Sequence, residues 1–174
     1  MNEGQERYEG CGRALGWERR PDRVVVGVDR VPWPWLIAAC VVDVLLVGAG
    51  MGVPIFAILG ALGLGWYSAR RRLREGETMR GALLGSLVEG SLIAGLTFLL
   101  MVAIWGSQLG MISEPGFDSA KWGIPMILYT STASFWGWMA LMIIVSPVLQ
   151  LLAWTFASEV TALAATRARS EATL

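Results

Sequence analysis

One long apolar run, from Trp33 to Trp66, limits what this chain can fold into. As a single helix at about 1.5 Å per residue it would reach roughly 50 Å, whereas a bilayer's hydrocarbon core is only about 30 Å thick. Its centre, Gly48 to Pro54, is rich in helix-breaking glycine and proline. The run therefore predicts a helical hairpin over 33–68 with short spans near 34–49 and 53–68. A severely tilted and kinked helix is the alternative.

The rest of the chain has the composition of a membrane protein, with 55% hydrophobic and 16% charged residues among 174. Further apolar segments predict spans near 82–105 and 124–145. Ser146-Pro147 is a natural place for a bend, so we expect the last helix to be extended or kinked, with a helical piece near 147–166. A fifth short span is the rival interpretation of that piece. The predicted fold class is an all-α integral membrane bundle of about four transmembrane helices.

The charged blocks orient these spans. Five arginines lie in 68–81, which we interpret as a cytoplasmic loop, whereas 106–122 has one lysine and two acids and should lie outside. Four spans in a membrane domain of 33–158 then place a charged 1–32 tail and a 167–174 tail in the cytoplasm. Three spans would instead put the 1–32 tail outside. Aromatic residues fall at the predicted boundaries, as membrane interfaces favour: Trp33, Trp35, Trp66 and Tyr67 inside, and Trp105 and Trp122 outside.

Two acids, Asp43 and Glu89, fall inside predicted spans that contain no basic residue. An ionised Asp at mid-membrane costs about 2.5–3.5 kcal/mol, so we expect each acid to be neutral, to hold a cation or to meet a basic group of another chain. One hypothesis is a proton or cation site completed by the hydroxyls of Ser86, Thr130 and Ser131. The simpler interpretation is that neutral acids form hydrogen bonds between helices.

Small residues recur at four-residue spacing in the predicted spans, which lets helix backbones approach closely. Internal packing explains this pattern, and self-association is the alternative. The residues that we predict at these contacts are Ala57, Ala61, Gly65, Gly81, Gly85 and Gly137.

The residue inventory argues against catalysis. The chain has no histidine, no phosphate-binding loop and no nucleophile motif, and its two cysteines, Cys11 and Cys40, have no metal-site spacing. We therefore expect no enzymatic activity, no cofactor and no metal. A formal net charge of zero gives no attraction to nucleic acid.

Two functional interpretations remain. The first is a non-enzymatic subunit or assembly partner of a membrane complex, in contact with lipid and with other membrane subunits or copies of itself. The second is a proton- or cation-coupled transporter or channel that uses Asp43 and Glu89 as a homo-oligomer. Either protein would be multi-pass, in the cell membrane if prokaryotic, with both termini cytoplasmic.

Overall fold

The fold is known from a computed structural model, which describes residues 32–50, 53–113, 117–122, 124 and 130–171. Within these ranges every regular element is helical. The predicted 1–32 tail lies outside the described residues apart from Pro32, as do the last three residues of the predicted C-terminal tail.

The first two helices form the predicted hairpin. Helix α1 covers Trp33–Ala49 and begins directly after Pro32 with a further proline in its first turn, a position where the missing N–H of proline costs nothing. Helix α2 covers Ile55–Arg74 and begins after Pro54. The break between them falls where the sequence predicts it.

The prediction of a loop over 68–81 is wrong for most of that segment. Helix α2 continues to Arg74, and α3 already begins at Met79, so only a short turn separates them. Arginine is a good helix former and is favoured at a helix C-terminus, where its charge opposes the helix dipole. Gly76 takes a φ of 85° in the turn, and Thr78 caps α3 by accepting a hydrogen bond from the amide of Gly81.

Helix α3 covers Met79–Gly106 and is followed by two short 3₁₀ segments, Ser107–Ser113 and Ser119–Trp122. The last helical rod begins with α4, Ser131–Ala140, rather than near residue 124. A π-helical stretch, Leu141–Val145, then leads directly into α5, Ser146–Glu171.

The rod is continuous through Ser146-Pro147, so the last helix takes the extended form of the prediction, and the expected helical piece near 147–166 is part of it. Proline lacks the N–H of a regular helix and its ring crowds the carbonyl one turn earlier. The π-helical stretch just before Pro147 has a wider turn, and the Ser146 hydroxyl donates to the Leu141 carbonyl at 2.8 Å. The proline is thereby accommodated without ending the helix, which continues well into the predicted 167–174 tail.

The contacts between helices fix their directions. α1 and α3 run the same way, because Trp35 contacts Glu89 and, two turns further along both helices, Asp43 contacts Thr97. α2 and α5 run together in the opposite direction and pack closely along their length. The C-terminal end of α2, the N-terminal end of α3 and the C-terminal end of α5 therefore share one end of the bundle, which we call the arginine end.

The bundle has an apolar core and an apolar exterior. Side chains of all four rods are buried at its centre, among them Ala39, Ala61, Ile93 and Trp154. Two helical stretches, Met79–Gly110 and Ser131–Ala168, are long and apolar enough to cross a membrane, and only 33% of the most apolar part of each is buried. α1 is a shorter apolar helix.

Candidate functional site

Polar side chains form a line through the middle of the bundle, which we call the polar axis. Its members on α3 are Ser86, Glu89 and Thr97, and each is fully buried. Each of the three belongs to a separate group of hydrogen-bonded side chains from the neighbouring helices. Because buried polar groups are costly unless they are hydrogen-bonded, these groups fix how the helices fit together.

The group that contains the arginines is centred on Glu89. One carboxylate oxygen, Oε1, accepts from Nη2 of Arg71 at 2.9 Å and from Nη2 of Arg72 at 2.7 Å. The other, Oε2, accepts from the Ser68 hydroxyl at 2.5 Å and from the Trp35 indole at 3.2 Å. Arginines of the same chain thus balance the charge of Glu89. Its single carboxylate joins α1, α2 and α3.

Two features hold the arginines in this group. A Cβ atom at Gly85 would collide with the guanidinium of Arg72, so the glycine is what lets Arg72 approach α3. The guanidinium of Arg71 lies over the ring of Trp35, 5.6 Å from its centroid, in a cation–π arrangement. Both arginines also reach acids of the following turn, Arg72 to Glu77 at 3.1 Å and Arg71 to Glu75 at 3.7 Å.

The second group surrounds Ser86. Its hydroxyl accepts from the Trp154 indole at 3.0 Å and lies 2.7 Å from the hydroxyl of Ser158. Ser158 is also within 3.1 Å of the Gly65 carbonyl. This group binds α2, α3 and α5 to one another through neutral hydrogen bonds.

The third group surrounds Asp43, which is fully buried on α1. Its Oδ2 accepts from the Thr97 hydroxyl at 2.7 Å, and its Oδ1 accepts from the Gln150 side-chain amide at 2.6 Å. The Thr97 hydroxyl also lies 3.3 Å from the carbonyl of Ile93. Gln150 is itself buried, and its Oε1 has no hydrogen-bond partner among the described residues.

The predicted five-residue site is not assembled. Along α3, Glu89 and Thr97 are about 12 Å apart at roughly 1.5 Å per residue, so the two acids lie at different depths and do not share a ligand. The side chain of Ile93 lies between them and packs against Leu36 and Trp154. The hypothesis of one site shared by Asp43 and Glu89 therefore does not match the structure.

The remaining predicted members are also in separate places. Thr130 is exposed and caps α4 by accepting from the amide of Ala133 at 3.2 Å. Ser131 is half-buried in the first turn of the same helix. Both lie about 30 Å along the continuous rod from Gln150, which contacts Asp43, so neither hydroxyl can reach that carboxylate.

The predicted small-residue contacts are placed as follows. Ala57, Ala61 and Gly65 are buried on one face of α2, and Gly65 lies directly against the backbone of Trp154. This is packing inside one chain. Gly85 makes room for Arg72, the amide of Gly81 belongs to the cap of α3, and Gly137 is half-buried in α4.

Several members of the polar axis were missed from the sequence. The sequence places Arg71 and Arg72 in a loop and Trp35 at a membrane interface, so it does not predict their contacts with Glu89. Of the other aromatic residues predicted at that interface, Trp33, Trp66 and Tyr67 are exposed. Trp105 is partly buried against Trp138, and the side chain of Trp122 lies outside the described residues. One signal could have identified the α5 partners: Gln150, Trp154 and Ser158 recur every four residues in an apolar segment.

Comparison of the chain with protein-family models, with curated proteins and with solved structures found no match. The arguments for function therefore come from the bundle and its polar axis.

Proposed function

We propose that the protein is a multi-pass integral membrane protein that acts as a non-enzymatic subunit or assembly partner of a membrane complex. One observation carries the proposal: the polar side chains of the bundle bind one another inside it, while large apolar side chains cover its exterior. A soluble protein would bury most of its most apolar helices, whereas only 33% of the most apolar part of Met79–Gly110 and of Ser131–Ala168 is buried here. Such a surface suits lipid and membrane-protein contacts.

The exposed face of α5 shows this division clearly. Its buried side has Gln150, Trp154 and Ser158, whereas the opposite side has a row of exposed apolar residues. In the proposed role this row is the contact face for lipid and for a partner. The row consists of Leu149, Leu152, Phe156, Val160 and Leu163.

The distribution of charge supports a cytoplasmic location for both termini in this proposal. Arg70 and Arg74 at the end of α2, Arg80 at the start of α3 and Arg167 near the end of α5 all belong to the arginine end. The N-terminal end of α1 belongs there too, since Trp35 reaches Glu89. Under the positive-inside rule the arginine end faces the cytoplasm.

Isolation of the tagged protein from its native membrane in mild detergent, followed by native mass spectrometry, tests the assembly role. We expect stoichiometric recovery with other polypeptides, and loss of them when Leu152 and Phe156 are both changed to Ala. The matched control changes Leu59 and Leu62, exposed residues of α2, to Ala. Recovery of the wild-type protein alone, or only with copies of itself, would contradict the subunit role.

Coupled proton or cation transport is the second candidate, and Asp43 favours it. Glu89 is occupied by two arginines, so a two-acid transport site has lost its support, whereas Asp43 contacts only neutral side chains among the described residues. In proteoliposomes loaded with a pH-sensitive dye, Asp43→Asn should abolish a proton flux that Glu75→Gln retains. Equal flux in both variants would remove Asp43 from the candidate pathway.

A further inference from the structure

The carboxyl group of Asp43 is enclosed by α1, α3 and α5 and forms no ion pair within the described residues. A buried carboxylate with only neutral hydrogen-bond donors is unfavourable, because those donors replace only part of its lost hydration. One negative charge needs one positive charge to balance it. The ligand to look for is therefore a monovalent cation, and the hydrogen bonds around Asp43 indicate which.

The Thr97 hydroxyl can serve two protonation states of Asp43. When Asp43 is ionised, the hydroxyl donates its one proton to Oδ2, 2.7 Å away. When Oδ2 is protonated, the carboxyl group donates to the Thr97 oxygen, and the hydroxyl turns to donate to the Ile93 carbonyl, 3.3 Å away. Every donor has an acceptor in either state, and only the proton positions change.

Gln150 completes the enclosure. Its Nε2 donates to Oδ1 of Asp43 at 2.6 Å in both states. Its Oε1 is buried without a partner among the described residues, which leaves an acceptor beside the carboxyl group for an incoming donor. The group can thus accept a proton without rearranging the helices.

A metal cation fits this group poorly. Hard metal cations, monovalent or divalent, bind several oxygen ligands at once, and Ca²⁺, as an example, takes about 6–8 at roughly 2.3–2.6 Å. The side chains of Asp43, Thr97 and Gln150 offer few oxygens, and both carboxylate oxygens already have donors within 2.7 Å. A proton needs neither the space nor the ligands.

Among the titratable and charged groups of the described residues near Asp43, Asp43 itself is the one suited to accept that proton. On α1 the nearest is the Cys40 thiol, one turn earlier. The sides of α2 and α5 that face Asp43 have uncharged residues: alanine on α2, and Gln150 and Trp154 on α5. On α3 the nearest charge is Glu89, two turns away and already paired with Arg71 and Arg72.

We propose that Asp43, Thr97 and Gln150 form a proton-binding site in which Asp43 takes up and releases a proton and the Thr97 hydroxyl reverses its hydrogen bond. Proton uptake goes beyond the assembly role and does not depend on it. It would supply the ion-binding step that the second candidate function requires.

Infrared difference spectroscopy of the full-length protein in detergent, recorded as pH is stepped up and down, tests the site. A protonated carboxyl group has its own C=O stretching band, which shifts when aspartate is labelled with ¹³C. We expect a reversible component of this band that Asp43→Asn removes and Glu89→Gln leaves in place. Thr97→Val should shift the band, since it removes the hydroxyl acceptor, and Thr97→Ser should restore its position.

The matched control is Ser91→Ala, which removes an exposed hydroxyl from the same helix and should leave the band unchanged. Survival of the whole band in Asp43→Asn would overturn the proposal, as would an identical band in wild type and Thr97→Val. If sodium chloride abolishes the band at constant pH and N-methylglucamine chloride does not, the site is an alkali-cation site and the proton proposal is wrong. If Asp43→Asn fails to fold, the comparison of the wild type with Thr97→Val and Thr97→Ser still decides the outcome.

Discussion

At the scale of single residues, Glu89 is the group on which the arginine end depends. It is fully buried and accepts from two guanidinium groups, a hydroxyl and an indole. Removing its charge would leave Arg71 and Arg72 facing each other across a neutral side chain. Loss of one partner from a buried ion pair typically costs about 3–5 kcal/mol, more than most single interactions contribute.

We therefore expect Glu89→Gln to lower the free energy of unfolding by about 3 kcal/mol, measured by thermal or denaturant unfolding in detergent. Glu75→Gln is the matched control. The Glu75 side chain is 59% exposed, and its contact with Arg71 is long, at 3.7 Å. Losing this surface contact should cost about 1 kcal/mol or less. Equal unfolding midpoints for the two variants would show that the buried pairing contributes no more than a surface contact.

The residue scale also shows how far sequence alone could go. Asp43 and Glu89 could be identified as buried acids because a carboxylate within an apolar segment is conspicuous. The partners of Glu89 could not be identified, because two structural features determine them. α2 runs about two turns beyond its apolar part, and Gly85 leaves room for Arg72. A charge count treats Arg71 and Arg72 as loop residues, whereas an uninterrupted helix turns both toward Glu89.

At the scale of elements, the contact between α2 and α5 holds the hairpin against the last rod. Gly65 lies against the Trp154 backbone, with the Trp154 Cα 3.0 Å from where a Cβ of residue 65 would be. Backbone atoms cannot move aside as a flexible side chain can. Gly63, half a turn away on α2, has nothing within 4 Å of its Cβ position.

This difference gives a matched pair of substitutions. Gly65→Ala should destabilise the protein by about 1–3 kcal/mol, because it forces α2 and α5 apart. Gly63→Ala should be neutral or stabilise it by up to about 1 kcal/mol, because alanine favours helix. Unfolding in detergent measures both. Two equal shifts would mean that α2 and α5 are not in close contact at Gly65.

The sequence predicts some helix boundaries better than others, and the reason is physical. The break at Gly48–Pro54 was predictable because glycine and proline act locally, on the backbone that contains them. At Pro147 the sequence could not decide between an extended and a kinked helix, because the extended form depends on the π-helical stretch of residues 141–145 and on the Ser146 hydroxyl. A wider turn just before a proline has no fixed sequence signature, so proline alone suggested a bend.

At the scale of the whole molecule, the polar axis and the apolar exterior make one arrangement. The ion pairs of Glu89 with Arg71 and Arg72 lie toward one end, and the hydrogen-bonded carboxyl group of Asp43 lies deeper, beyond an apolar layer at Ile93. In the proposed membrane location the bilayer would surround that deeper level and exclude water from its exterior. The exclusion of water from the apolar exterior can be tested directly at exposed positions on two helices.

In a background without Cys11 and Cys40, we expect Leu99→Cys and Leu152→Cys, which replace exposed apolar residues, to resist a membrane-impermeant maleimide in proteoliposomes. Thr166→Cys, exposed near the arginine end, should react at least tenfold faster in the fraction of molecules whose arginine end faces outward. All three should react alike once the protein is unfolded in SDS.

If Leu99→Cys and Leu152→Cys react as fast as Thr166→Cys in intact vesicles, water reaches the apolar exterior and the protein does not span the bilayer. Slow reaction at the two apolar positions alone would place lipid against both α3 and α5, because both side chains are more than half exposed in the bundle itself.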